Sequence, residues 1–391
     1  MPDVQSFKFV VVGSGFSGAV SAERIANVLK ENVLLIEKRA HIGGNAYDFK
    51  KGGITVQKYG PHIFHTNYDD VFRYLSHFTE WIPYKHRVLA YIDGKFVPLP
   101  FNFTSLEKLF PTERAKKLER LLTAEFGAGK RVSILELMSS KNAEVKELAE
   151  FIYQKVFVNY TVKQWGIPPE KIDKTVISRV PVSLSYEDTY FSDKFQGIPR
   201  PSFSALFGKM LENKRMLENK RIHIMLNIDF KELFDIDIAN KRILLKNGKE
   251  FFGRVIYTGR TDELFDFIYG KLEYRSLKFV YEKHDTEFYQ KVAVVNYPND
   301  YDFTRITEFK HFYAERSKNT IIAKEFPKRF TESDEPYYPI LSARNKELYE
   351  KYRALAAGFK NLTLLGRLAN YKYINMDQAV LNALKNFKKI L

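Results

Sequence analysis

Near the N-terminus the apolar positions fall into two short blocks. Phe7 to Val12 is apolar and β-branched apart from Lys8 and stops at Gly13, and Val33 to Ile36 ends at Glu37. Short apolar runs with such boundaries predict central strands of a parallel sheet, buried on both faces. Between them, Ala19 to Leu29 carries apolar residues at helical spacing, with Asn32 as the break. The first strand passes to this helix through Gly13-Ser14-Gly15-Phe16-Ser17-Gly18. The stretch is therefore a β-α-β unit with G-x-G-x-x-G at the strand-to-helix turn and an acid about 20 residues further on.

Each position in that turn has a physical purpose. Gly13 allows the tight turn, Gly15 lets the backbone approach a pyrophosphate, and Gly18 lets helix and strand pack closely. The helix start offers N–H groups and partial positive charge to the phosphates, and Glu37 can accept hydrogen bonds from a ribose. A bare glycine turn is weak evidence; the complete unit carries the expectation of a bound dinucleotide. His41-Ile42-Gly43-Gly44-Asn45 then adds a second glycine pair. A similar segment lies beside the cofactor in FAD proteins of the glutathione-reductase and amine-oxidase type, which favours FAD over NAD.

Further along, the periodicity turns helical. Thr104-Ser105-Leu106-Glu107 and Ser133-Ile134-Leu135-Glu136 have the form of capping boxes. Leu118, Leu121, Leu122 and Phe126 keep helical spacing, as do Leu148, Ile152 and Val156, until Gly166 and Pro168 punctuate the pattern. A helical insertion is expected over roughly 105–165. From 180 to 340 the segments alternate and become aromatic-rich, as in Leu277 to Tyr281 and Val292 to Tyr297, which predicts a mostly antiparallel sheet. Inside that span, Ile222 to Phe230, the Asn247-Gly248 turn and Val255 to Gly259 read as a return to the nucleotide domain. Met210 to Arg215 repeats at once as Met216 to Arg221, a copy too short for a solenoid unit and read as a surface-helix extension. Leu362 to Leu365 reads as a last strand, followed by Gly366-Arg367 and a capped helix starting at Asn375-Met376-Asp377-Gln378. An arginine and a helix start at a strand end suit the pyrimidine edge of a flavin, whose reduced form carries negative charge.

Composition narrows the chemistry. The 391 residues include no cysteine, which removes disulfides, thiol catalysis and Cys-ligated metals. Lys and Arg number 62 against 47 Asp and Glu, a net charge of +15. The charges are interleaved, as in Glu113 to Arg120, which is most simply a solvated helix face and speaks against a nucleic-acid partner. A surface for anionic small ligands or membrane-associated partners fits the excess equally, and charge alone does not decide. No apolar run approaches the roughly 18 residues of a membrane span, and the N-terminus lacks a basic leader, so a cytoplasmic enzyme is expected. His62 and His65 have an i,i+3 spacing but no acid placed to complete a metal site, so a flavin-contacting loop is preferred and no metal is expected.

Several segments together resemble the bacterial UDP-galactopyranose mutases over essentially the whole chain. They are Gly13 to Ala19, His41 to Asn45, Tyr59-Gly-Pro-His-Ile-Phe-His-Thr66, Tyr160-Thr-Val-Lys-Gln-Trp-Gly166, Tyr190-Phe-Ser-Asp193, Glu273-Tyr-Arg-Ser-Leu-Lys278, Glu335-Pro-Tyr-Tyr-Pro339 and Tyr371-Lys-Tyr373. The resemblance implies interconversion of UDP-galactopyranose and UDP-galactofuranose with reduced FAD and no net redox. Flavin N5 attacks the anomeric carbon and expels UDP, the adduct opens to an iminium, the sugar recloses through its 4-oxygen, and UDP returns. It also implies a homodimer and a substrate loop near 166–180.

The resemblance assigns residues as well. Trp165 matches the ring that stacks on uracil, with Tyr160, Thr161 and His86 on the same side. Arg179 and Arg305 match the arginines that grip the diphosphate. Tyr190, Tyr338 and Tyr373 match phenols that bond the phosphates, and Asn296 matches a nucleotide-sugar contact. His65 is placed closest to the sugar, and Arg275 lies in a further matched motif. Gly13, Gly15, Phe16, Gly18, Glu37, Lys38, Gly44, Asn45, His62, Ile63, Phe230, Arg367, Asn375 and Met376 match the cofactor side. Asn375 departs from the family's usual Asp, which keeps a cap acceptor but loses a charge. His86 stands where some relatives carry Asn.

The expected fold is mixed α/β: a Rossmann-like FAD-binding domain with a helical-bundle insertion and an antiparallel-sheet substrate domain. The expected boundaries are 1–80, 203–265 and 355–391 for the first, 103–168 for the second, and 81–102, 169–202 and 266–354 for the third. The rival reading is an amine-oxidase-like FAD oxidoreductase acting on another small substrate, which the nucleotide unit alone would also fit.

Overall fold

The computed structural model describes residues 3–166, 181–212 and 221–390. The first two predicted strands form as Phe9–Val12 and Val33–Glu37, paired in parallel from Phe9 against Val33. They are central in a five-stranded parallel sheet ordered Ile222–Leu226, Val33–Glu37, Phe9–Val12, Arg254–Tyr257, Leu362–Leu364. Adjacent residues of one strand feed opposite cores. Val11, Val33 and Leu35 pack with Phe16, Val20 and Val380, whereas Val10, Leu34 and Ile36 pack with Phe230, Phe234 and Tyr352. Burial on both faces explains why these strands read as continuous apolar runs.

The helix after the first strand runs Phe16–Arg24 and continues as a π-turn over Ile25–Leu29, ending on Lys30 in the left-handed region. The chain therefore turns two residues earlier than the break expected at Asn32. A second π-turn, Tyr153–Val158, immediately precedes the helix Asn159–Trp165. Such insertions re-aim the residues that follow them. The predicted capping box at Ser133 forms, with the Glu136 carboxylate accepting from the Ser133 N–H at 2.8 Å. The other box forms earlier than expected, because Asn102, with extended backbone, is the cap of Phe103–Leu109 and Ser105 supplies its partner. Thr104 already lies inside that helix, where no cap can sit.

The second large sheet has seven strands, ordered Tyr338–Pro339, Tyr274–His284, Thr320–Arg329, Arg305–Glu308, Val294–Asn296, Val88–Ile92, Lys95–Leu99. It is antiparallel except where Val294–Asn296 runs parallel to Val88–Ile92. Its core joins that of the helices around 103–158 through Ala90, Val97, Leu118, Leu148 and Ile152. Asn247-Gly248 does turn the chain, giving a single bridge between Leu244 and Glu250, while the main hairpin there pairs Phe234–Asp237 with Arg242–Leu245. The second copy of the tandem hexapeptide lies almost wholly outside the described residues. Among those residues, no helix is long and apolar enough to cross a membrane.

Candidate functional site

The glycine turn lies at the carboxyl ends of the parallel strands, where open α/β sheets bind ligands. Helix and strand meet so closely at Gly18 that a Cβ there would stand 1.8 Å from the Gly13 carbonyl oxygen. A Cβ on Gly44 would stand 2.8 Å from the Gly15 Cα. Backbone rather than side chains thus fronts the start of Phe16–Arg24, whose first-turn N–H groups have no intrahelical acceptor. Glu37 is buried and accepts from the Ser14 N–H (2.9 Å), the Ser14 hydroxyl (2.7 Å) and the Arg39 N–H (3.0 Å). This is a cradle of donors with one fixed carboxylate, and it suits a dinucleotide. Phe16 is buried against Phe207, Lys38 is exposed, and the Phe230 ring is packed in the core against Phe234.

A cavity of about 510 Å³ opens between the seven-stranded sheet and the helix Asn159–Trp165 and reaches Asn45, next to Gly44 beside the turn. Asn45, His62, Ile63, Arg367, Asn375 and Met376 line its cofactor side. His65, His86, Tyr160, Thr161, Tyr190, Asn296, Arg305, Tyr338 and Tyr373 line the rest. Among these residues are members of six of the segments quoted above, which therefore share one space. Trp165 ends the helix that carries Tyr160 and Thr161. Arg179 and the segment after Gly166 lie outside the described residues.

One row across the second sheet explains much of the wall. Ala90, Asn296, Arg305 and Glu325 stand directly opposite one another on successive strands and all line the cavity. Opposed residues share a face, so the register aims the whole row inward. Arg305 Nε lies 3.4 Å from Glu325 Oε2, and its Nη2 donates to the Tyr160 hydroxyl. Burial opposes the charge on Arg305, but Glu325, Tyr160 and Tyr338 outweigh it and hold the guanidinium firmly protonated. Burial likewise pushes the Tyr160 phenol up to about 12, and raises Tyr338, so both remain hydrogen-bond donors at neutral pH.

The histidines divide by environment. Burial lowers His62 to about 4, against the opposing bond from its Nδ1 to the Gly60 carbonyl. A carbonyl can only accept, so Nδ1 carries the proton and Nε2 is left as an acceptor. His86 is pushed down to about 3 by burial, then by Arg305 and His65, and is neutral. His65 Nδ1 lies 2.9 Å from Asp193 Oδ2, with its ring stacked on Phe191 at 3.7 Å, so its orientation is fixed from both sides.

Tyr338 and Tyr373 stack at 5.5 Å, with Arg367 5.0 Å from the Tyr373 ring. Arg367 itself donates to the Ile374 carbonyl from Nε (3.2 Å) and Nη2 (2.6 Å). At the cap of the last helix, Gln378 Oε1 accepts from the Asn375 N–H at 3.0 Å, while the Gln378 N–H turns to Asp377 at 2.8 Å. Arg275 lies outside the cavity wall. Its guanidinium donates to the Gln164 carbonyl at 3.1 Å and so caps the carboxyl end of the helix bearing Tyr160.

Glu325, Asp193, Gln164 and Arg131 also line the cavity and were not singled out from sequence. Asp193 and Gln164 lay within quoted motifs; Glu325 and Arg131 carried no local signal. Among the described residues, three buried polar atoms of this wall have no hydrogen-bond partner, His86 Nδ1, Gln164 Oε1 and Asn296 Oδ1, while Arg305 Nε has only its 3.4 Å ion-pair contact with Glu325. Native interiors rarely leave such atoms unpaired, and several around one cavity mark it as a place for a polar ligand.

Comparison with known proteins agrees with this geometry. A family model described as UDP-galactopyranose mutase matches residues 155–373, and one described as an NAD(P)-binding Rossmann-like domain matches 11–78. The UDP-galactopyranose mutase of Mycoplasma pneumoniae is 36% identical over 395 residues, covering 98% of this chain and 96% of its own length. The dTDP-fucopyranose mutase of Escherichia coli is 34% identical over 384 residues and 97% of each chain. A crystal structure of reduced UDP-galactopyranose mutase shares the fold, with a TM-score of 0.74 and 18% identity over 98% of this chain and 94% of that one. On sequence along its whole length, on fold, and on the motifs gathered around one cavity, this chain belongs to the UDP-galactopyranose mutase family.

Proposed function

We propose that this chain interconverts UDP-galactopyranose and UDP-galactofuranose, with FAD held at the glycine turn and active when reduced, and that it works as a homodimer. The observation that carries the reading is the polar wall just described, built around a part-buried and charged Arg305. The Arg305 guanidinium suits an anionic group, and the two amide oxygens await donors such as the hydroxyl and N–H groups of a nucleotide sugar.

The protein's part in the reaction is to bind and orient. Arg305 faces the diphosphate, with Glu325 fixing its direction and Arg179 assigned to the same anion by the family motif. Tyr160, Tyr190, Tyr338 and Tyr373 supply phenol donors to phosphate oxygens, which stabilise the dianion as it leaves and hold it for return. Trp165 and Thr161 take the uridine end, with His86 and Asn296 beside it. His65, locked by Asp193, meets the sugar. Gly13, Gly15 and Gly44 front the cofactor's pyrophosphate, Gly18 lets the helix close on the strand behind them, Glu37 meets the ribose, and Asn45, His62, Ile63, Arg367, Asn375 and Met376 meet the ring end. Reduced FAD held by these residues would supply nucleophilic chemistry at the anomeric carbon with no net redox.

The test is trapping of a covalent flavin–galactose species with a borohydride-type reductant, in reduced holoenzyme given UDP-galactose and read by mass spectrometry. A flavin mass increased by one hexose supports the reading, and its absence in an active sample rejects the covalent role. A parallel sample with dTDP-fucose addresses the specificity that a dTDP-fucopyranose mutase at 34% identity raises. The proposal predicts turnover with the UDP sugar in preference.

A further inference from the structure

Three strands of the parallel sheet each carry an arginine just past the carboxyl end: Arg39 after Val33–Glu37, Arg260 after Arg254–Tyr257, and Arg367 after Leu362–Leu364. All three grip one segment, 330–338, which brings Tyr337 and Tyr338 to the cavity. Arg260 Nη1 lies 2.6 Å from Glu332 Oε2, and Arg367 Nη1 donates to the Tyr337 carbonyl at 3.4 Å. Arg39 holds Glu335 with two prongs, Nε to Oε1 at 3.0 Å and Nη2 to the other oxygen.

The three grips differ in what stands behind them. Arg260 is a rivet, because its other bond goes to the buried Asp262 and its guanidinium is surrounded by Phe267, Tyr274 and Phe330. Arg39 has the cofactor cradle behind it. Its N–H donates to Glu37 at 3.0 Å, its Nη2 donates to Asn45 Oδ1 at 2.9 Å, and its guanidinium lies 4.5 Å from the Tyr59 ring. Glu335 in turn is fixed to the second sheet, where its carbonyl accepts from the Ser276 hydroxyl at 2.9 Å. Burial opposes the charge on Arg39, and Glu335, with Tyr59 and Glu37 behind it, more than restores it.

We propose that Arg39 and Glu335 form a positioning pair that couples the cofactor site to the Tyr337–Tyr338 wall of the substrate site. The inference rests on the function proposed above, which puts the dinucleotide at Glu37 and the diphosphate at Tyr338. A change at the cradle moves Arg39, the two-pronged bond carries it to Glu335, and the short step to Tyr338 alters the grip on the anion. Coupling of this kind is reciprocal, so the state of the flavin and the affinity for UDP depend on each other. Neither residue touches the reacting atoms, and neither is catalytic.

The experiment measures the UDP dissociation constant by calorimetry in oxidised and in reduced holoenzyme, for wild type, Glu335→Gln and Arg39→Lys. Arg39→Lys keeps the charge but not the two-pronged geometry. The expected wild-type constants differ by at least about fivefold between flavin states, within the usual range of such coupling. Both variants are expected to bind flavin and UDP, with that ratio falling to within about twofold of one. A merely structural pair would lower the melting temperature and leave the ratio alone. A ratio near one in the wild type, or variants that keep the wild-type ratio, overturns the inference while the proposed function stands. Wild-type holoenzyme that binds no UDP in either state overturns the proposed function, and the inference with it.

Discussion

Arg305 and Glu325 stand directly opposite on neighbouring antiparallel strands, with Nε and Oε2 3.4 Å apart. The pair sits at the cavity wall with Glu325 almost wholly buried. Arg305→Ala therefore does two separable things. It removes the cation facing the diphosphate, with a loss of at least about 100-fold in turnover expected. It also leaves Glu325 unpaired, costing on the order of 2 kcal/mol, less than a fully buried pair because the Arg305 side chain is 23% exposed. The double variant Arg305→Ala/Glu325→Gln recovers stability in urea unfolding but not turnover. Recovery of both would show that the arginine acts only through folding.

His86 makes stability depend on pH. Its folded pKa, about 3, lies below the ordinary histidine value of about 6.5. The unfolded chain thus takes up a proton that the folded chain refuses. The stability it contributes is present above about pH 6.5 and is lost as pH falls towards the folded value. Urea midpoints taken between pH 7 and 4 should fall more steeply for wild type than for His86→Asn. Equal slopes would mean that His86 is protonated without cost in the folded state.

Gly18 faces the Gly13 carbonyl with no space for a side chain, since a Cβ there would stand 1.8 Å from the oxygen. Gly18→Ala pushes the helix Phe16–Arg24 off the strand, at a cost of about 3 kcal/mol. The purified variant should melt lower and be largely free of flavin colour. A yellow protein of wild-type stability would contradict the assignment of the turn.

Trp165→Ala is expected to weaken UDP binding by about 1–3 kcal/mol if its ring stacks on uracil. Calorimetry on the flavin-loaded variant checks this directly. Unchanged UDP affinity would remove Trp165 from the nucleotide site.

The parts of this site differ in how they show themselves in sequence. The glycine turn is legible because its chemistry is local: Gly13, Gly15, Gly18 and Glu37 act within one β-α-β unit. The second sheet's strands are legible as alternating aromatic segments, but their register is not. Glu325 meets Arg305 only because Thr320–Arg329 pairs with Arg305–Glu308 at that offset, and nothing near Glu325 in the chain announces it. Arg39 and Glu335 are 296 positions apart, and although Glu335 opens a quoted motif, nothing in the sequence joins the two. Arg275, left without a role by its motif, becomes the cap of a helix remote in sequence. The first helix ends at Leu29, where the apolar spacing ends, but that its last turn, Ile25–Leu29, is a π-turn is invisible in such spacing.

The central claim is that reduced flavin serves this chain as a reaction partner that is not consumed. The most direct measurement incubates anaerobic, dithionite-reduced holoenzyme with UDP-galactofuranose and follows conversion to UDP-galactopyranose by chromatography, with the flavin's absorbance recorded in the same sample. The account predicts many turnovers per flavin, a spectrum that stays that of reduced flavin throughout, and activity that collapses on oxidation. Equal activity with oxidised FAD, or one reductant equivalent consumed per product, would contradict it and favour the hydride-transferring oxidoreductase.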